Sequence, residues 1–117
     1  MWWRVAAWLA SVGALCSAQA GGPIRFRDVT ESTGIVFEHT DGSSGRKYIV
    51  ETVSAGLALF DYDGDGDVDV YFLNGAPLPG RKVDVPPRNA LYRNEGGWKY
   101  TDVTDQAGVG DTGYGLG

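Results

Sequence analysis

Short apolar runs separated by turn-forming residues fill the chain after residue 20. Each run ends at Gly, Asp, Asn or Pro, which are the residues that terminate strands and form turns. No stretch keeps a sustained helical period, so the pattern predicts an all-β chain. The prolines between Asn74 and Ala90 mark a loop, since proline cannot donate to a strand ladder. The predicted strands are Ile24–Val29, Ile35–His39, Lys47–Val53, Leu57–Asp61, Val68–Asn74, Ala90–Asn94 and Trp98–Val103.

A ten-residue pattern occurs twice, at Phe26–Ile35 and again 74 positions later at Tyr100–Val109. Both copies read aromatic, any residue, Asp, Val, Thr, acid, two variable residues, Gly and aliphatic. We interpret each copy as a strand end followed by one helical turn, which Thr30 or Thr104 caps and the glycine ends. The acid in the first turn suits the positive end of the helix dipole. Repeats at such a period predict stacked units, each too small to bury its own faces.

The end of the chain echoes an earlier segment. Tyr114–Gly117 repeats the pattern of Ala55–Ala58, which leads directly into an acidic loop, but the second copy stops at the last residue. Leu57–Phe60 and Val70–Leu73 are apolar without alternation, as in strands that are covered on both faces. We therefore expect this chain to be the opening portion of a longer array whose neighbouring units cover these runs.

The first twenty residues have the layout of a secretory signal peptide. Met1–Arg4 gives a positive start, Val5–Leu15 is almost wholly apolar, and Ala18–Ala20 supplies small residues suited to cleavage. The apolar stretch is shorter than the roughly 20 residues that a membrane span needs. We therefore expect residues 1–20 to be removed, leaving residues 21–117 with no membrane span and in a secreted, periplasmic or extracellular location.

Loss of this leader removes Cys16 and Arg4, which leaves nine basic and fifteen acidic residues and a net charge of −6. An exported chain without disulfides takes its stability from core packing or from metal ions. The acidic balance argues against nucleic acid as a partner, because phosphates demand a basic surface. The pairs Arg46–Lys47 and Arg81–Lys82 are isolated in the sequence and too small for a nucleic-acid surface.

Five aspartates lie within nine residues, from Asp61 to Asp69, and their spacing predicts a metal-binding loop. Carboxylates at positions 1, 3, 5 and 9 can surround one cation if the backbone turns sharply at position 6, where Gly66 stands. Hard oxygen ligands in a flexible loop favour Ca²⁺ over Mg²⁺ and over transition metals. The predicted ligands are the side-chain oxygens of Asp61, Asp63, Asp65 and Asp69 and the main-chain oxygen of Asp67.

Two other interpretations of this loop are an EF-hand and a solvated acidic turn. An EF-hand needs a bidentate acid at position 12 and flanking helices, whereas this loop has Phe72 at that position and strand-like flanks. A turn without a cation would leave five carboxylates repelling one another between two apolar strands. We therefore favour calcium.

With the repeat and the acidic loop together, the chain resembles the FG-GAP or VCBS repeat proteins. More narrowly, it resembles the bacterial relatives of cartilage acidic protein, which often carry an ASPIC/UnbV domain. The aspartate series alone is moderately specific, and its combination with the Leu-Tyr-Arg-Asn and Asp-Val-Thr blocks is much more so. The matching segments are Phe26–Thr30, Phe37–His39, Gly42–Tyr48, Glu51–Thr52, Gly56–Gly66, Asn74–Gly75, Asn89–Asn94 and Tyr100–Thr104.

This resemblance implies a β-propeller built from four-stranded blades, with a calcium loop between adjacent strands in many blades. Residues 21–117 would hold roughly one to one and a half blades, so we expect a partial propeller. The resemblance also implies extracellular binding or adhesion without catalysis, toward an unidentified protein or carbohydrate ligand. The alternative is an accessory segment of a secreted enzyme, for example a carbohydrate-active one, whose catalytic part lies beyond Gly117.

Few other side chains invite a chemical interpretation. His39 is the only histidine, and a lone histidine near a glycine turn is more often a surface or packing residue than a catalytic base. Trp98, Tyr100 and Tyr92 are able to stack on sugars, but aromatic residues in strands more often belong to the core. We therefore assign no catalytic residue and expect the three aromatic side chains to be buried.

Overall fold

The computed structural model describes residues 22–53 and 56–116. The predicted signal peptide and its cleavage site lie outside the described residues, as do positions 54, 55 and 117. In the described part the helices are short turns, and none has the length and apolar character needed to cross a membrane. The elements in chain order are α1 (Thr30–Thr33), a 3₁₀ turn (Ile49–Thr52), β1 (Gly56–Phe60), β2 (Asp69–Leu73), β3 (Ala90–Asn94), β4 (Tyr100–Asp102) and α2 (Thr104–Ala107).

The four strands form one antiparallel sheet in the order β1-β2-β3-β4, so that each strand pairs with the next along the chain. The register pairs Leu59 with Val70 and Val70 with Tyr92. Tyr92 in turn pairs with Asp102, and these four side chains form one row across a face of the sheet, because directly paired residues share a face. The chain is thus mostly β, and four of the predicted strands match β1 to β4 to within two residues.

Three other predicted strands are wrong. Residues 24–29 pair with no strand in the part of the chain that the structure describes, and Phe26 is 97% exposed. Residues 35–39 lie against a face of the sheet instead of joining its edge, and the Phe37 ring stacks on Phe72 there. Residues 47–53 contain the 3₁₀ turn, and Lys47 takes a left-handed conformation with φ of 58°, which does not fit an extended strand.

The most deeply buried side chains lie on β3. Leu91 and Tyr92 are only 1% and 2% exposed, and burial raises the pKa of the Tyr92 phenol. Neighbouring residues in a strand point to opposite faces, so β3 is covered on both sides. On the Tyr92 side, the rings of Phe72 and Phe37 are stacked with centroids 4.7 Å apart, and Phe72 meets Tyr92 edge-on at 5.8 Å.

Strand β1 forms an exposed edge of this sheet. Leu57, Leu59 and Phe60 are all exposed, although the unbroken apolar run predicted a strand covered on both faces. The described residues do not supply that cover. Contiguous exposed apolar side chains mark surfaces that contact other elements or other molecules.

The two copies of the repeated pattern take the same local conformation. In each copy one carboxylate oxygen of the aspartate accepts two hydrogen bonds, from the amide and the hydroxyl of the threonine two residues later. The predicted caps are therefore wrong, since Asp28 and Asp102, rather than Thr30 and Thr104, hold the start of each turn. A carboxylate is a stronger acceptor than a hydroxyl. The turns end at left-handed glycines, Gly34 with φ of 84° and Gly108 with φ of 69°.

The two copies differ in what the threonine contacts. Thr104 is fully buried, and its hydroxyl accepts a 2.9 Å hydrogen bond from the Leu91 amide while it donates to Asp102. Thr30 holds the same position in the first copy but is exposed. The Thr104 hydroxyl therefore links α2 to β3, and Thr30 provides a matched comparison.

We predict that Thr104→Val lowers the free energy of unfolding by about 1–3 kcal/mol, because the variant keeps the side-chain shape but leaves the buried Leu91 amide without its acceptor. Thr30→Val should change stability by less than about 0.5 kcal/mol, as is usual at exposed positions. Urea unfolding followed by circular dichroism measures both values. Equal losses in the two variants would contradict the role assigned to Thr104.

Two buried asparagines, Asn74 after β2 and Asn89 before β3, fix the neighbouring loops. The backbone amide of Asn74 donates a 2.7 Å hydrogen bond to Asn89 Oδ1. The side-chain Oδ1 of Asn74 accepts a 2.9 Å hydrogen bond from the backbone amide of Thr40. A Cβ on Gly75 would lie 2.3 Å from the Thr40 carbonyl oxygen, so only glycine fits at this crossing. The segment around Thr40 is thereby held against the end of β2.

An exposed ion pair joins the loop before β3 to α2. Arg88 donates hydrogen bonds to both carboxylate oxygens of Asp105. The bond from Arg88 holds the pKa of Asp105 below its usual value, and the pKa of Arg88 is raised for the same reason. The pair therefore stabilises the folded chain only while Asp105 is charged.

We predict that Arg88→Gln raises the pKa of Asp105 toward its ordinary value of about 4. The pair contributes stability above that ordinary value and loses it as the pH falls through the lower pKa of the folded state. Acidification should therefore narrow the stability difference between wild type and variant. An NMR pH titration of the carboxyl group measures the pKa, with Arg27→Gln as the exposed control. An Asp105 pKa unchanged by Arg88→Gln would contradict the assignment.

Candidate metal-binding loop

The acidic loop joins β1 to β2 at residues 61–68, at one end of the sheet. Carboxylate oxygens of Asp61, Asp63 and Asp65 lie within 4.8 Å of one another, and all three residues are exposed. Calcium–oxygen distances are about 2.3–2.6 Å, so two ligands on opposite sides of the ion are separated by up to about 5 Å. These three carboxylates therefore fit around one divalent cation.

Backbone amides of the loop converge on the Asp61 carboxylate. Oδ1 accepts hydrogen bonds from the amides of Gly64 at 2.7 Å and Asp65 at 3.1 Å, and Oδ2 accepts one from Gly66 at 3.0 Å. Gly64 and Gly66 have φ of 80° and 92°, which glycine adopts without steric cost. The sharp turn expected at Gly66 is present, and the loop folds around Asp61.

Asp69 occupies a different environment from the other loop aspartates. It is fully buried, with Oδ2 accepting a 2.7 Å hydrogen bond from the Tyr62 amide and Oδ1 accepting one of 2.7 Å from the Asn94 amide. It lies outside the group formed by the three exposed aspartates. The structural role of Asp69 is to brace the loop. A carboxylate has about four lone-pair sites and these two hydrogen bonds use two of them, so the role of Asp69 as a metal ligand stays a prediction.

Asp67 also lies outside the three-carboxylate group. Its amide donates a 2.8 Å hydrogen bond to Asp65 Oδ1, and its carboxylate faces Gly96 on the turn between β3 and β4. The role predicted for this residue uses the main-chain oxygen, and it stays a prediction. The backbone amide of Asp67 orients the Asp65 side chain through this hydrogen bond.

Arg93 on β3 provides positive charge at the loop. Its Nε lies 3.9 Å from Asp63 Oδ2, and its Nη2 lies 2.7 Å from Glu95 Oε1. The hydrogen bond from Arg93 lowers the pKa of Glu95, so this arginine is shared between two acids. Two carboxylates 4.8 Å apart repel each other by about 1 kcal/mol even in water. One shared arginine does not offset the repulsion among three carboxylates, and a divalent cation would.

Sequence reasoning did not assign a role to Asn94, which closes the loop. The backbone amide of Asn94 donates a hydrogen bond to Asp69. Its side chain donates through Nδ2 to the Val68 carbonyl oxygen at 3.2 Å and accepts through Oδ1 from the Gly96 amide at 3.0 Å. The only signal in the sequence was its place in the Leu-Tyr-Arg-Asn block. Its partners in the loop lie 25 and 26 positions away, so the pairing depends on strand register.

The aromatic residues predicted to lie in the core have different fates. Tyr92 is buried, as predicted, and Tyr100 is half-buried. Trp98 is exposed, so the prediction is wrong for this residue. Its φ of 63° places it in the left-handed region, in the turn between β3 and β4, which non-glycine residues seldom adopt.

Comparison with protein-family models, with curated proteins and with solved structures gave no match. The resemblance to FG-GAP or VCBS repeats therefore rests on the motifs of the sequence. The four-stranded sheet and the acidic loop stand on their own geometry.

We predict that Asp69→Asn lowers the free energy of unfolding by about 1.5–3 kcal/mol. The side-chain NH₂ group of the variant would face the buried backbone amide of Tyr62 or Asn94, so that two donors meet and one hydrogen bond is lost. Asp67→Asn, at an exposed position of the same loop, should cost less than about 0.5 kcal/mol. Urea unfolding in EDTA measures both without any contribution from bound metal. If the two variants were equally stable under these conditions, Asp69 would not be the brace that its hydrogen bonds indicate.

Proposed function

We propose that this chain is a secreted calcium-binding module of the β-propeller repeat type, which serves extracellular binding or adhesion and performs no catalysis. The observation that carries the proposal is the convergence of Asp61, Asp63 and Asp65 on one point of a loop already shaped by backbone hydrogen bonds. A preformed arrangement of this kind lowers the cost of gathering the ligands when the ion binds.

Calcium is the cation that suits these groups best. The loop offers carboxylate and main-chain oxygens, which hard cations prefer, and the single histidine of the chain lies far from it in sequence, at position 39. Exposed carboxylates on a glycine-rich loop adapt to the irregular coordination of calcium more readily than to the strict octahedron of magnesium. Burial of Asp69 beneath the loop supports the proposal further, since it holds the backbone that positions the exposed carboxylates.

Two features support a propeller blade as the unit. The sheet is a four-stranded antiparallel meander, which is the content of one blade. The apolar side chains of β1 are exposed, as expected where a stacked neighbour would cover the faces of the sheet. The turns at Asp28 and Asp102 share one conformation although they lie 74 positions apart. We propose on these grounds that the chain contributes part of a propeller, roughly one to one and a half blades.

We predict that Asp63→Ala combined with Asp65→Ala abolishes calcium uptake and the stabilisation that follows from it. At a calcium concentration about 100 times the dissociation constant, the wild type should gain about 2.7 kcal/mol, because calcium binds only the folded loop. Calorimetric titration and thermal melts with and without EDTA measure the two effects.

The matched control is Glu31→Ala combined with Asp84→Ala, which removes the same charge from exposed positions outside the loop. This control should bind calcium like the wild type. Absence of calcium uptake by the folded wild type at millimolar calcium would refute the proposal. If the control binds calcium as weakly as the loop variant, the loss reflects the lower net negative charge and not the loop carboxylates.

A further inference from the structure

Two irregular loops cross beside the end of β2. The Leu78 amide donates a 3.0 Å hydrogen bond to the Gly42 carbonyl oxygen. Arg81 Nη1 donates one of 3.0 Å to the Ser43 carbonyl oxygen. The crossing brings together two basic pairs that are 35 positions apart in the sequence. The resulting group, termed the basic surface, consists of Arg46, Lys47, Arg81 and Lys82.

The four side chains of the basic surface are exposed. In the described part of the chain, ion pairs involve only Arg88 and Arg93 among the basic residues. Arg46 packs onto the second loop, since a Cβ on Gly80 would lie 3.1 Å from its Nε. Lys47 is held in the left-handed region with φ of 58°, which a non-glycine residue seldom adopts. The structure therefore concentrates positive charge in a chain whose net charge is −5.

The acidic loop does not cancel this charge. It precedes β2, whereas the basic surface lies beyond the other end of that strand. Five residues of strand span about 13 Å between the first and last Cα, which exceeds the Debye length of about 8 Å at physiological ionic strength. At this distance physiological salt largely screens the acidic loop from an anion that approaches the basic surface.

A cleft of about 530 Å³ adjoins the basic surface, and Arg81 forms part of its wall. This volume falls within the range of roughly 300–1,000 Å³ that is typical of small-ligand sites. Pro86 and Pro87 contribute apolar ring surfaces, while Glu38 and Asp102 contribute negative charge. The cleft therefore suits an uncharged group with both apolar and polar edges, and the basic surface suits the charged groups attached to it.

We propose that the basic surface and this cleft bind an acidic polysaccharide, with its carboxylate or sulfate groups on the four basic side chains and its uncharged ring surfaces in the cleft. The proposal names the ligand class for the binding role proposed above and rests on it in that respect. Arginine binds planar and tetrahedral oxyanions through paired hydrogen bonds, and Arg46 and Arg81 both stand at the crossing.

Other anionic partners fit these observations less well. Four cations on an acidic chain are too few for nucleic acid, whose affinity grows with the number of phosphates neutralised. An acidic peptide that adds to a sheet needs a free strand edge, and the described residues of the two crossing loops form no strand. A sugar chain needs neither feature.

The test measures binding of residues 21–117, with calcium present, to polygalacturonate and heparin, and to neutral dextran, polyglutamate and phosphatidylserine vesicles for comparison. Lys47→Gln combined with Lys82→Gln removes two charges without touching the hydrogen bonds at the crossing. This variant should bind polygalacturonate or heparin roughly two- to thirtyfold more weakly than the wild type, the range expected for two exposed charge contacts. Arg25→Gln combined with Arg27→Gln is the control with the same charge change at exposed positions, and its affinity should be unchanged.

The outcomes separate cleanly. Binding to polygalacturonate alone identifies a carboxylate ligand, binding to heparin alone identifies a sulfate ligand, and either one supports the proposal if dextran does not bind. The proposal is overturned if neither polymer binds, if the control loses as much affinity as the variant, or if only polyglutamate or phosphatidylserine vesicles bind. Polymer binding that is lost in EDTA but unchanged in the Lys47→Gln, Lys82→Gln variant would mean that calcium bridges the protein and the polymer. That result would also overturn the proposal.

Calcium titration of the same proteins distinguishes this proposal from the proposed function. Calcium uptake without binding to either polymer would refute the ligand class and leave the calcium module in place. If the chain takes up no calcium but binds a polymer through Lys47 and Lys82, the calcium module is refuted and the ligand class is supported.

Discussion

Burial of a charged carboxylate is unfavourable unless hydrogen bonds replace the lost water, and Asp69 meets this condition with two backbone amides. One amide belongs to Tyr62 in the acidic loop, and the other belongs to Asn94 at the end of β3. A single side chain thus fixes the loop both to the hairpin that carries it and to the next strand of the sheet. The exposed aspartates converge because the backbone on either side of them is held in place.

Strand β3 connects this brace to the rest of the fold. Its central residues Leu91 and Tyr92 are buried on opposite faces of the sheet, and its last residues, Arg93 and Asn94, reach the acidic loop. The buried hydroxyl of Thr104 ties the same strand to α2 through the Leu91 amide. Packing and site geometry therefore depend on one register, and a slip of one residue would move every side chain of β3 to the opposite face of the sheet.

Features set by local chemistry could be predicted from the sequence. Alternating aspartates and Gly66 indicated the loop, and apolar runs between turn residues indicated the four strands that form the sheet. Features set by partners distant in sequence could not. Residues 24–29 have a strand-like composition but pair with no described strand, and nothing local distinguishes the buried Asp69 from the exposed Asp65. The aspartates that hold the two short turns were missed for a different reason, since threonine is itself a common cap and stood at the expected position.

Net charge describes this chain poorly, because one acidic loop and one group of basic side chains are formed at different places in the fold. The hairpin between β1 and β2 gathers acids at one end of β2, and the crossing of two loops gathers bases beyond the other end. Each group is assembled by a different mechanism, the first by spacing along nine residues and the second by contacts between segments 35 positions apart. Since the separation exceeds the screening length in physiological salt, the two ends act on ions independently. The two proposals, a cation at one end of this strand and an anionic group beyond the other, are therefore compatible with a chain that is acidic overall.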